Sequence, residues 1–266
     1  MVMKKYFCPD FVFFIMISFF LFSLIGKAEP NARTEVGIFY EKQKLTSAAN
    51  AKKFDQTVNT IKETGLKTRL ITSAVFKENA AKAPGVYKRI YISLFSNLFT
   101  PEEYKWLAEY VKNGGLLICA SPLSATDLNA DGIYDKAERA KDRARRKNGD
   151  WPVHGIQAHS TVSLKTIKVI SVCPLTQGFA QGVFPVKKGF MRNTRNGNAT
   201  VVAEAEAVSR NNRKLNNAVL VSYRKLGKGA CIYIAASPFS SGVEGVKLFK
   251  NCFSAQVFEW LVYEDD

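Results

Sequence analysis

The chain has 266 residues, 47% hydrophobic, with 38 Lys and Arg against 23 Asp and Glu for a net charge of +15. Two histidines, five cysteines and no C-x-x-C pair leave a zinc or redox centre without support. Charge of this size favours anionic surfaces as partners and says nothing about the fold.

Residues 1–28 read as a secretory signal peptide. Lys4 and Lys5 precede the uncharged run from Phe11 to Ile25, and Gly26-Lys27-Ala28 offers a small-residue cleavage site near Ala28. The run is short for a spanning helix, and the alternative is a retained anchor. The expected mature protein is soluble, not membrane-spanning, and secreted or periplasmic, with a net charge of +13. Residues 29–266 fit a single α/β domain.

"EVGIFY" (35–40) predicts a buried strand. Ala51, Phe54, Val58 and Ile61 then make the stripe of a helix that stops at Gly65. "KTRLITS" and "KRIYISL" predict a second and third strand. In the next helix Thr100 caps, Pro101 sits in the first turn and Glu103 completes a T-x-x-E box. Asn113-Gly114-Gly115 ends that helix before the strand "LLICAS". Strands alternating with helices imply a three-layer sandwich with a mostly parallel central sheet.

Residues 121–160 break this rhythm and read as an insertion. Asp127 to Glu138, "DLNADGIYDKAE", fits the calcium-loop pattern D-x-[DN]-x-[DN]-G-x5-E. Its oxygens would come from Asp127, Asn129, Asp131, the Ile133 carbonyl, Asp135 through water, and Glu138, with Gly132 at the bend. No helix precedes the loop and the motif is single, so the expected calcium ion is structural; the alternative is an acidic, Asx-rich turn that starts a helix over 135–147. The charged run after it reads as a solvated helix face, because acids are interspersed with the bases.

"STVSLKTIKVISV" and "TVVAEAEAV" predict further, more exposed strands, and "NAVLVSYRKLGKGACIYIAAS" a hairpin turning at Gly227-Lys228-Gly229. Val246, Phe249, Phe253, Val257 and Trp260 predict one closing helix. Asn198-Ala199-Thr200 is a glycosylation sequon. Cys119 and Cys231 lie in apolar runs, where a thiol is most often a small core residue.

Several stretches resemble class I glutamine-amidotransferase-like domains, above all the non-catalytic group of β-galactosidase trimerisation domains and ThuA-like proteins. They are "YISLFSNLFTPEEYKWLAEYVKNGGLLICAS", "CPLTQGF", "YRKLGKGACIYIAASPF" and "NCFSAQVFEWLV". The resemblance implies a flavodoxin-like sheet. The catalytic members use a cysteine on a sharp turn with a later histidine and glutamate. Here Cys119 lies inside its strand, no H-x-E follows, and His154 and His159 fall in the insertion.

Ligands of open parallel sheets bind beyond the carboxyl ends of the strands. Crevice candidates there are Ser93, Ser96, Asn97, Ser124, Ser237, Ser240 and Ser241, although such residues also simply make turns. The expected function is a non-enzymatic binding or structural domain. Its partner would be an anionic glycan, an envelope polymer or another protein, with no nucleic acid expected. The alternative is a secreted hydrolase or amidohydrolase using Cys119 or Ser121 with His154 or His159. A charge-driven envelope or nucleic-acid binder is a third reading.

Overall fold

Strands β3 (Arg89–Ile92), β4 (Leu116–Cys119) and β10 (Gly229–Ile234) are buried at every position, as strands covered on both faces must be. They lie at the centre of the sheet in a computed structural model. It describes residues 35–40, 47–82, 87–93, 99–120, 129, 135–147, 155–186, 189–209, 211–235 and 241–263. All belong to the compact unit Thr34–Asp266.

The other strands are β1 (Glu35–Phe39), β2 (Lys67–Ile71), β5 (Ile156–Val169), β6 (Gly182–Pro185), β7 (Phe190–Asn196), β8 (Thr200–Val208) and β9 (Lys214–Leu226). Among the described residues the order is β2-β1-β3-β4-β10-β9-β8-β5-β6, with β7 also paired to β5. From β2 to β10 every pairing is parallel, and from β10 onward every pairing is antiparallel. The two halves differ in pattern for a physical reason. Parallel strands need crossover helices that cover both faces, whereas β6 alternates half-buried with exposed residues.

Helices α1 (Ala48–Lys62), α2 (Ser73–Lys82), α3 (Pro101–Lys112), α5 (Gly242–Asn251) and α6 (Ala255–Val262) flank this sheet, and α4 (Lys136–Lys147) follows β4. Tyr91 pairs with Ile38, so it shares the face of Ile38 while Phe39 points the opposite way. On one face Phe39 meets Phe76 of α2 edge-on at 5.0 Å, and Phe76 lies 6.1 Å from Tyr110 of α3. On the other, Tyr91 meets Phe249 of α5 at 5.6 Å and Phe253 at 5.7 Å, while Tyr223 meets Trp260 of α6 at 4.8 Å. This is the expected α/β sandwich.

Three local readings differ from the sequence expectation. Helix α2 was not foreseen; a polar cue to its start is Thr72, whose Oγ1 accepts from Val75 N–H at 3.4 Å. The closing helix is two helices. Ser254 interrupts it and caps α6 by accepting from Val257 N–H at 3.2 Å. Strand β5 starts at Ile156, inside the stretch expected as insertion. The segment Cys173 to Phe179 is stapled to α5. Lys247 Nζ donates to Gly178 O at 2.7 Å, and Asn251 Nδ2 donates to Leu175 O and Gln177 O at 3.1 and 3.0 Å.

The hairpin turn has an unforeseen role. Lys228 N–H donates at 3.0 Å to Lys112 O, one of the carbonyls that the end of α3 leaves without an intrahelical partner. Gly227 makes this approach possible. It has φ +63, and a Cβ there would stand 2.6 Å from Lys112 O. Gly65, by contrast, has φ +81 with open space around it. Gly227→Ala is therefore expected to cost about 2–4 kcal/mol and Gly65→Ala about 1 kcal/mol, read as the difference between their urea midpoints. Equal losses would show that the contact with Lys112 is not confining.

Candidate functional site

The carboxyl edge of the parallel strands is formed by Phe39, Ile71, Ile92, Cys119 and Ile234. The residues after them are fastened to neighbouring strands. Tyr40 N–H donates to Ile71 O at 3.0 Å, Ala120 N–H to Ile92 O at 2.8 Å, and Ala235 N–H to Leu220 O at 2.8 Å. Ser93, buried, lies on this floor, and the buried Ser241 immediately precedes α5. Ser96, Asn97, Ser124, Ser237 and Ser240 lie outside the described residues.

One carboxylate ties this edge together. The expected capping box is present, with Thr100 Oγ1 accepting from Glu103 N–H at 3.3 Å and Glu103 Oε2 accepting from Thr100 N–H at 2.8 Å. The other oxygen, Oε1, accepts from the Ser73 hydroxyl at 2.8 Å, so α2 and α3 start from the same side chain. Glu103 is buried, and the amino end of α3 favours its negative charge. The box was legible from spacing. Its third partner, thirty residues upstream, was not.

Cys119 is fully buried, and its Sγ lies 3.8 Å from Cys231 Sγ on the neighbouring strand. Cys231 pairs with Leu117, which sets the two thiols diagonally across the pair. Burial first, then the neighbouring thiol, holds the Cys119 pKa well above its ordinary value. A thiol kept protonated is a poor nucleophile. Cys119, Cys173, Cys231 and Cys252 are all free. Ser121 and His154 lie outside the described residues; His159 lies in β5, with its side chain outside them.

Of the calcium-pattern residues, Asn129, Asp135 and Glu138 are described, and Asp127, Asp131 and Ile133 are not. Glu138 is 2% exposed. Its Oε1 accepts from Asn129 N–H at 3.2 Å and its Oε2 from Asp135 N–H at 3.0 Å, while Asp135 Oδ1 accepts from Glu138 N–H at 2.8 Å. Asp135 and Glu138 thus form a second capping box, at the start of α4. Among the described residues no group of three or more His, Cys, Asp or Glu is arranged to hold a metal ion.

A buried charge at the opposite edge escaped the sequence reading. Arg89 opens β3 at 2% exposure, donates from Nη2 to Ser254 O at 3.2 Å, and stacks its guanidinium 4.5 Å from the Phe258 ring centre. Its Nε and Nη1 have no hydrogen-bond partner. Burial lowers its pKa to about 10, against the opposing influence of Tyr110, Tyr263 and Glu259.

The fold recurs in known structures. A ThuA-like protein from Bacteroides uniformis ATCC 8492 matches 88% of this chain and 93% of its own, at 14% identity and a TM-score of 0.54. The chain has a ThuA-like fold. A second ThuA-like protein, from Parabacteroides merdae ATCC 43184, matches 88% of this chain and 92% of its own at 10% identity and a TM-score of 0.51. The β-galactosidase from Bacillus circulans sp. alkalophilus matches 83% of this chain at 14% identity and a TM-score of 0.52. This chain spans only 30% of that enzyme's length. At such identities the likeness is one of fold, the class I glutamine-amidotransferase-like fold. No protein-family model matches the chain, and no curated protein matches its sequence.

Two outcomes are expected from these side chains. In the folded protein a thiol reagent should label the half-buried Cys173 and spare Cys119, Cys231 and Cys252 until denaturant is added, as peptide mapping would show. Early labelling of Cys119 would restore it as a nucleophile. Arg89→Met should be no less stable than the parent at pH 7, by urea titration. The sign follows from a base whose folded pKa is lowered: it opposes folding below about pH 10, and that cost fades as pH rises through this value.

Proposed function

We propose that this chain is an exported, non-enzymatic domain that binds a polymer or protein partner, with the excursion between β4 and β5 pinned by a structural calcium ion. The observation carrying the metal part of the reading is the position of Glu138. Burying a carboxylate is costly unless its oxygens are engaged, and both are turned onto amides of the same loop. Asn129, Asp135 and Glu138 are the third, ninth and twelfth residues of the motif, so the chain curls back on itself as a chelating loop must. A bound ion would draw further oxygens from Asp127, Asp131 and the Ile133 carbonyl. The non-enzymatic part is supported by Cys119, whose thiol burial keeps protonated.

The test is a thermal melt of the purified protein with 5 mM calcium (about 1–2 kcal/mol of linkage for a Kd of ~10⁻⁴–10⁻³ M) and with chelator. Calcium should raise the Tm by about 2–8 °C, and Glu138→Gln should abolish that response while losing some basal stability as its capping box weakens. A Tm indifferent to both calcium and chelator removes the ion from the reading.

A further inference from the structure

We infer that α4 is the surface through which this protein holds its partner, and that the partner is a linear acidic polysaccharide. The inference rests on the reading that the chain is an exported binding domain, and it names the surface and the ligand chemistry. In the sequence the acids of this segment are interspersed with bases, the pattern of a solvated helix. Helical register sorts them. At 3.6 residues per turn, positions 136, 139, 143, 146 and 147 fall within roughly 100° of arc, and all five are Lys or Arg. Glu138 and Asp142, four residues apart, share another side, and Ala137, Ala140 and Ala144 occupy a third.

The helix carries seven bases and two acids in twelve residues. Lys136, Ala137, Arg139, Ala140, Lys141 and Ala144 are all exposed, and Glu138 is the buried exception. Glu138 fixes the rotation of the helix through its bonds to Asn129 and Asp135, and by register the basic stripe falls on a different side. The stripe is about 17 Å long at 1.5 Å per residue, with a base roughly every 5 Å. That is a ladder for an extended chain bearing regularly repeated anions.

The composition of α4 selects among polyanions. A lipid surface is engaged by helices with a bulky apolar face, and here the third side is only alanine. Single-stranded nucleic acid is gripped by stacking on aromatic rings, and α4 has none. Arginine forks match carboxylates in bidentate fashion, and the expected leader directs the chain to where acidic polysaccharides are found. Duplex nucleic acid remains the competitor that the test must separate.

The test uses the purified full chain in calcium-free buffer and sodium polygalacturonate as the probe, titrated calorimetrically at several salt concentrations. Arg143→Glu with Arg146→Glu should weaken binding at least about tenfold and reduce the slope of log K against log salt by about 2. Lys67→Glu with Lys214→Glu makes the same charge change at exposed positions on β2 and β9 and should stay within about twofold of the parent. Circular dichroism of both variants should match the parent. The inference is overturned if the parent does not bind polygalacturonate or if both double variants lose equally. It is also overturned if duplex DNA or phosphatidylglycerol vesicles bind more tightly at the same salt. The calcium melt is read separately: an intact calcium response with no polysaccharide binding sinks this inference alone, whereas a lost calcium response leaves it standing.

Discussion

The carboxylate of Glu103 is the interaction from which the carboxyl edge of the sheet is organised. One oxygen closes the first turn of α3 and the other holds the first residue of α2, so two crossover helices share an origin. At its far end α3 is met by the β9–β10 turn through Lys228. Helix α3 is thereby bound at both ends, first to the parallel half of the sheet and then to the point where the antiparallel half begins. Net hydrogen-bond contributions are modest, and their weight here lies in the position they enforce.

What this framework presents at the crevice is a floor without an exposed nucleophile among the described residues. Cys119 belongs to the core, beside Cys231, and apolar strand ends surround it. Among the described residues, charged groups stand out elsewhere: a buried guanidinium at the amino edge, and a charged helix on the excursion that follows β4. The fold is shared with ThuA-like proteins, and a shared fold does not by itself carry a shared function.

Much of the fold was legible because local and long-range signals agreed. The predominantly apolar runs around Ile90, Leu117 and Ile232 had nowhere to go except a doubly covered sheet. Thr100, Pro101 and Glu103 fixed the start of α3 by short-range chemistry. Misreadings arose where such signals were weak or came from afar. Helix α2 buries mainly Phe76, Asn79 and Ala80, too sparse a stripe to stand out. The break at Cys252 to Ser254 was invisible because the apolar spacing continues across it. Strands β6 and β7 take their places from pairing with β5, which no local propensity encodes. Of the site, the Thr100–Glu103 capping box was readable, and the calcium pattern from Asp127 to Glu138 lies only partly within the described residues. The Ser73 bond and the Arg89 burial required the third dimension, whereas the sorting of charge around α4 follows from helical register alone.

Among the described residues, β2 and β6, the two ends of the strand order, show how a sheet this wide remains finite. At one margin β2 sets Lys67 and Arg69 outward beside the half-exposed Leu70, and at the other β6 carries Pro185, which has no amide hydrogen to offer. A second copy approaching edge-on would meet like charge on one flank and a missing donor on the other. Edge-to-edge growth of the sheet into a fibre is thereby disfavoured at both margins.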